Sequence, residues 1–341
     1  LLDISGFSMK SSIKLDLNMQ SAQRMLDYEN LREEGPEVKV EHDAMVRKLY
    51  RDRWPHRGEI LFRNVFLRYK KETTDFALNG LNLIIQPGTK VACVGRTGAG
   101  KSSLIHALFR MVEIEIVPEG CIKIDRVDTQ EIGLEMLRQR LSIIPQTALI
   151  FNGTIRRNLD PLNKHRTEEL WDALEAAALI DFVEKLPKRL ETEVTPELFS
   201  AAQKQLLCFA RAYLRKGKIV VVEEPTSNDD LETEEILHAQ IQKYFKDCTV
   251  LTITHKLTNI AHYDKVLVMA SGKIKEYESP YLLLVNDPND HRITSNSYFA
   301  RMVKRTGESV SKKIYEKAKA AFFEKMRRER EAVNRMSITD S

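Results

Sequence analysis

The run Gly95-Arg96-Thr97-Gly98-Ala99-Gly100-Lys101-Ser102 constrains this chain more than any other. It spells G-x-x-x-x-G-K-S between Lys90–Val94, a short apolar run that reads as a buried strand, and residues 103–110, which read as the opening of a helix. Glycines in that frame let successive backbone N–H groups curl toward one anion, and the helix that follows aims its positive end at the same place. Lys101 is then positioned to neutralise β- and γ-phosphates, and the Ser102 hydroxyl to hold Mg²⁺. These residues imply a site for a nucleoside triphosphate.

The rest of the composition narrows the setting. A chain of 341 residues suffices for one large α/β domain with extensions or for two small domains. Hydrophobic content of 43% and charged content of 30% are those of an ordinary globular protein. A net charge of +4 is too small, for this length, to argue nucleic-acid binding, and no nucleic-acid partner is expected. Cys93, Cys121, Cys208 and Cys248 form no C-x-x-C pair, and they read as buried thiols of a reducing compartment. No run approaches the roughly 18–20 apolar residues that a membrane helix needs. There is no signal-peptide pattern, and the first residue is Leu rather than Met, so the chain is expected to be a portion of something longer.

Residues 1–35 carry a helical signal in Leu15, Met19, Ala22, Met25 and Leu26, ended by Gly35-Pro36, after which a polar segment runs to Trp54-Pro55. Strands are predicted at 60–69, 81–85, 121–124 and 141–144, and again at 219–222, 249–253 and 265–269. Residues 153–216 read as helical, with Trp171, Leu174 and Ala178 on one face. A β-rich edge, a phosphate loop, a helical insert and alternating βα units together predict an α/β sheet with a helical subdomain. From residue 308 to about 335 the pattern predicts a long charged helix. Its stripe of Ile314, Ala318, Ala321, Phe322 and Met326 favours docking on a partner or on the domain itself.

Five further signals follow in order. Tyr69 closes a strand where an aromatic ring could stack on a purine, although a core or edge aromatic is the plain alternative. Gln146 follows an apolar strand and could orient water and Mg²⁺. Ser200-Ala201-Ala202-Gln203 opens a helix and offers a second anion-facing helix end. Glu223 and Glu224 end the apolar strand 219–222, as suits one metal-organising carboxylate and one water-activating base; a solvated acidic turn is the alternative. His255 also ends an apolar strand and could donate to a γ-phosphate.

This order resembles the nucleotide-binding domain of ABC-type ATPases over most of residues 54–305. It is most similar to the second such domain of the C subfamily, the multidrug-resistance-associated type. The phrases that carry the likeness are Val-Gly-Arg-Thr-Gly-Ala-Gly-Lys-Ser-Ser-Leu, Leu-Ser-Ile-Ile-Pro-Gln, Gly-Thr-Ile-Arg-Arg-Asn-Leu-Asp-Pro and Asp-Cys-Thr-Val-Leu-Thr-Ile-Thr-His. The resemblance implies a P-loop α/β fold: a mixed sheet core, an antiparallel β edge subdomain and a helical subdomain at about 147–216. Residues 1–53 would be the helix and linker that end a transporter's membrane domain, and 306–341 a charged helical extension. It implies Tyr69 on adenine, Gly95 to Ser102 with Ser103 around the phosphates, and Ser102, Gln146 and Glu223 at Mg²⁺. Glu224 would be the general base, Asp230 a dimer contact and His255 the switch histidine. In that family two such domains sandwich two ATP molecules, each cradle facing the partner's signature helix, here Ser200 to Gln203.

Three departures bear on activity. The signature's Ser-x-Gly-Gln stands here as Ser200-Ala201-Ala202-Gln203, and a methyl at Ala202 intrudes where backbone approaches the partner's γ-phosphate. The loop before it, 193–198, is shorter than in relatives and lacks their glycines. The metal-organising Asp is Glu223 here, one methylene longer, and Asp229 adds negative charge where an apolar residue is usual. The expectation is retained Mg-ATP binding with slow or asymmetric hydrolysis, in the C-terminal ATPase domain of an export pump on the cytosolic side of a membrane. The other reading is a hydrolysis-poor, ATP-binding structural module of a soluble intracellular assembly. The partner would be a second such domain or a host assembly.

Overall fold

The computed structural model describes residues 2–29, 34–38, 43–70, 74–195, 197–223, 231–288, 290 and 292–339. Contacts divide the chain into two units, Leu1–Pro36 and Glu37–Ser341. The first unit is helix α1 (Leu2–Glu29), which leaves Phe7, Met9, Leu15, Met19 and Met25 exposed.

The second unit opens with α2 (Asp43–Arg51), β1 (Ile60–Leu67), β2 (Leu78–Ile85), β3 (Lys90–Val94) and α3 (Lys101–Leu108). Strands β4 (Cys121–Ile124) and β5 (Val127–Asp128), helix α4 (Leu134–Arg140) and strand β6 (Leu141–Ile144) follow. Four helices come next: α5 (Ile155–Leu159), α6 (Thr167–Ala176), α7 (Ile180–Glu184) and α8 (Ala201–Leu214). Then come β7 (Ile219–Glu223), α9 (Leu231–Tyr244), β8 (Thr249–Ile253), β9 (Lys265–Ala270) and β10 (Lys273–Glu278). The unit closes with α10 (Pro280–Leu284), α11 (Tyr298–Lys304) and α12 (Glu308–Thr339).

A four-stranded antiparallel sheet has the order β2-β1-β4-β5, and a six-stranded mixed sheet has the order β10-β9-β3-β8-β7-β6. In the larger sheet the pairs from β9 to β6 are parallel, and only β10 runs antiparallel to its neighbour. Its parallel strands are mostly apolar because both faces are covered, as parallel sheets require, whereas the antiparallel edge strand β10 is largely polar. Side chains of β3 alternate accordingly. Val91 and Cys93 enter a cluster with the antiparallel sheet and with Leu104 and Leu108 of α3, while Ala92 and Val94 enter one with α10, α11 and α12. The same alternation on β7 sends Ile219 and Val221 to the first cluster, and Val220 and Val222 to a third built on α6 and α8.

Two segments take structures that their sequence left open. The polar stretch before Trp54 contains α2, whose Met45, Val46 and Leu49 pack on the first cluster. Helix α12 lies on the domain itself: Ile314, Tyr315 and Ala318 are buried and Phe322 is partly so, while Met326 stays exposed. The Tyr315 hydroxyl donates to the Asp290 carbonyl at 2.6 Å, and Lys325 pairs with Asp264 at 2.5 Å. All four cysteines are free; Cys93 and Cys208 are buried, Cys121 and Cys248 half-buried. No helix among the described residues is long and apolar enough to cross a membrane.

Candidate functional site

The parallel strands β3, β6, β7 and β8 end on one edge of the sheet, so whatever follows each of them gathers there. After β3 comes the glycine-rich loop, after β6 comes Gln146, β7 ends on Glu223, and His255 follows β8 by two residues. The strand order brings them to a cavity of about 310 Å³, lined by Tyr69, Thr97, Gly98, Gly100, Lys101, Ser102, Ser103, Gln146, Glu223 and His255 together with Ala77 and Ile253. Residues from five separate stretches of chain thus share one pocket.

The loop itself is shaped by its glycines. Gly100, the residue before α3, has φ 99°, and a Cβ there would lie 2.6 Å from the Ala77 carbonyl oxygen. A Cβ on Gly95 would lie 2.4 Å from the Met269 carbonyl oxygen. Backbone therefore passes where any side chain would collide. The loop ends in α3, which opens directly into the cavity.

Lys101 is buried, and its ammonium donates to the carbonyls of Gly95 at 2.9 Å and Arg96 at 3.0 Å. Burial lowers its pKa from the ordinary lysine value. Behind it, burial pushes the Cys93 thiol up to about 12, so that sulfur supplies no counter-charge at neutral pH. Among the described residues, the hydrogen-bond partners of this ammonium are neutral carbonyl oxygens, at the wall of an open pocket.

Tyr69 leaves the end of β1 half exposed, and its hydroxyl lies 3.0 Å from Ser103 Oγ and 2.8 Å from His106 Nδ1. Sequence reasoning missed His106. The available signal was its position one helical turn after Ser103, which places the two on one face of α3.

Not every expected residue meets in this cavity. Gly95, Arg96 and Ala99 line a neighbouring cavity of about 430 Å³ on the far side of the loop, shared with Tyr298, Arg301 and Arg305. Ser200, Ala201, Ala202 and Gln203 line neither cavity. They form the start of α8, where the Ser200 hydroxyl accepts from Gln203 N–H at 3.1 Å and the Gln203 side chain accepts from Ser200 N–H at 3.0 Å. This capping box leaves the first amides of α8, those of Ala201 and Ala202, outside the helical ladder and near the surface. Helix α8 still touches the site from behind, since Gln205 donates to the Glu223 carbonyl at 3.3 Å. Glu224, Asp229 and Asp230 lie outside the described residues.

A parallel strand, a glycine-shaped loop, a buried lysine and a helix opening on one cavity define a P-loop domain of the nucleoside-triphosphate-binding class. Comparison with known proteins specifies it further. Residues 78–227 match the family model described as ABC transporter. The chain is 41% identical over 327 residues to human ATP-binding cassette sub-family C member 4, covering 95% of this chain and 23% of that protein. It is 44% identical over 300 residues to the rat sub-family C member 2, covering 83% and 19%. Its fold matches a bacterial Atm1-family ABC exporter with ATP bound, with a TM-score of 0.68 at 28% identity, over 86% of this chain and 47% of that one. The chain carries an ABC-type nucleotide-binding domain of the C-subfamily kind. It spans less than a quarter of the length of these curated relatives.

Proposed function

We propose that this chain binds ATP in the cavity at the Lys101 loop, as the C-terminal ATPase domain of an export-type transporter whose hydrolysis is slow or confined to one of two sites. The observation that carries the reading is the buried Lys101 ammonium, held among the described residues by the carbonyls of Gly95 and Arg96 at the wall of the cavity that the glycine loop shapes. A polyphosphate would give this ammonium an anionic partner. Amides of the loop and the start of α3 would take the phosphate oxygens, and the Tyr69 ring would take the base.

The lining also suits Mg²⁺. Ser102, Gln146 and Glu223 offer a hydroxyl, an amide oxygen and a carboxylate, the oxygen donors that a hard cation takes. Bound there, the ion would offset charge on the β- and γ-phosphates. His255, two residues beyond β8, would donate to the γ-phosphate, and Glu224 would take the proton of the attacking water.

The case for slow turnover rests on Ala202. Since the signature residues line neither cavity of their own domain, they would serve a second domain's nucleotide. The methyl of Ala202 stands beside the amide that would reach that γ-phosphate, and losing one aimed donor costs on the order of 10²–10³ in rate. The defect would fall on the partner's site rather than on this cradle, which suits a pump with two unequal sites. Long full-length relatives in the C subfamily support that setting over a free-standing module. The test is steady-state turnover at saturating Mg-ATP for the chain and for Ala202→Gly. Turnover well below 1 s⁻¹, raised at least tenfold by glycine, is expected; turnover at or above about 10 s⁻¹, the usual enzyme median, with Ala202 in place would contradict the reading.

A further inference from the structure

His106, one helical turn beyond Ser103, makes a short hydrogen-bond contact with Tyr69, the one phenol ring among the described residues that line the cavity. The Tyr69 hydroxyl sits between two partners on α3: Ser103 Oγ at 3.0 Å and His106 Nδ1 at 2.8 Å. A phenol has one proton to give and an oxygen to accept with, so it satisfies both neighbours at once. The two rings meet edge to face, with centroids 6.0 Å apart and planes at 88°. Ser103 is buried and His106 half-buried, both fixed on a helix that itself begins at Lys101, whereas Tyr69 stands 55% exposed just before a segment outside the described residues. An exposed ring at the end of a strand is otherwise free to change rotamer. Two hydrogen bonds to a rigid helix hold it.

We infer that His106 is a positioning residue for nucleotide binding: with Ser103 it pins Tyr69 by its hydroxyl, so that the ring stands as a fixed stacking wall registered to the phosphate loop. The inference rests on the nucleotide-binding reading above and adds to it a residue and a selectivity. Because the hydroxyl is committed to α3, Tyr69 keeps only its face for a ligand. Recognition at this wall is therefore by stacking, which every base with a π-face can satisfy, rather than by hydrogen bonding to a base edge. Adenine and guanine triphosphates should bind with similar affinity at this wall. The phosphate end does not depend on the pin, since Lys101 and the loop amides do not pass through Tyr69.

Fixing one side chain in advance saves an ordering cost on binding that corresponds to about two- to twelvefold in affinity. The test is calorimetric titration of the full 341-residue chain with Mg-ATP, Mg-GTP and inorganic tripolyphosphate, for the unaltered protein and for His106→Ala, His106→Asn, Tyr69→Phe and the double variant His106→Ala/Tyr69→Phe. His106→Ala and Tyr69→Phe should each weaken both nucleotides about three- to tenfold and leave tripolyphosphate unchanged. The double variant should be no worse than either, and His106→Asn, whose side-chain oxygen can replace Nδ1, should recover most of the loss. ATP affinity unchanged in His106→Ala would overturn the inference, and so would an equal loss for ATP and tripolyphosphate, since the effect would then lie in the cradle. If the unaltered chain holds tripolyphosphate but gains nothing from a base, the pin fails while the phosphate site stands. If it holds neither, the nucleotide reading fails first.

Discussion

At the scale of single residues, two glycines with the same handed backbone separate shape from strain. Gly100 and Gly88 both have φ in the left-handed region, at 99° and 70°. A Cβ at Gly88 meets nothing within 4 Å, whereas one at Gly100 meets the Ala77 carbonyl at 2.6 Å and the Gly272 Cα at 3.3 Å. Gly88→Ala therefore bears only the left-handed penalty, about 1–2 kcal/mol. Gly100→Ala bears that and a displaced backbone, and is expected to be about 1–3 kcal/mol worse than Gly88→Ala in urea denaturation. Equal denaturation midpoints for the two would show that the loop yields more easily than its packing implies. Gly100 was legible in the sequence because the chemistry of cradling a phosphate fixes its spacing from Gly95 and its place before Lys101. Tyr69 was legible only as one aromatic among several, and His106 was not legible as a site residue at all. Its meaning lies in a contact across 37 residues of chain, and a single histidine in an apolar helix carries no spacing to read.

At the scale of elements, the helical region is tied together by a few charged side chains. Arg211 on α8 donates to the carbonyls of Asn158 at 2.6 Å and Leu149 at 2.5 Å and to Asn158 Oδ1 at 2.9 Å. Buried Asn158 in turn bridges the Phe151 N–H and carbonyl at 2.9 and 2.8 Å. The stretch just after Gln146 is thereby tied to the helix that opens with Ser200. Glu169 does similar work for α6. It accepts from Lys216 at 2.9 Å and from the Arg166 N–H at 3.1 Å, and the lysine first, then the amide, hold its pKa down at about 2 against an ordinary 4.5. A carboxylate lowered in the folded state stabilises above its unfolded pKa, and that contribution fades as pH falls from about 4.5 toward 2. Thermal midpoints of the chain and of Glu169→Gln should therefore differ at pH 7, in favour of glutamate, and converge as pH drops from 5 to 3. A gap that stays constant over that range would mean that the carboxylate's charge contributes nothing. The capping contact between Arg166 and Glu169 is local, but the Glu169–Lys216 pair does not show in local sequence, since the two are 47 positions apart.

At the scale of the whole molecule, the sequence carried the order of the parts and the structure supplies their meeting. Each of Gln146, Glu223 and His255 reads as the residue beyond an apolar strand, which is legible from hydrophobic runs. Their convergence depends on the crossover order β9-β3-β8-β7-β6, which no local pattern encodes. The stripe on α12 was legible as a docking face, but that it docks on this domain follows from Ile314 and Tyr315 meeting α10 and α11. Helix α2 was hidden by its charges, which outnumber the three apolar residues it packs inward. What unites these parts is one pocket built around a buried cation. The direct test is the affinity of the chain for Mg-ATP compared with that of Lys101→Ala. Saturable one-to-one binding by the chain is expected, weakened at least tenfold by the substitution, with the fold intact by circular dichroism. Equal affinities in the two proteins, or no binding by the unaltered chain, would contradict the nucleotide reading.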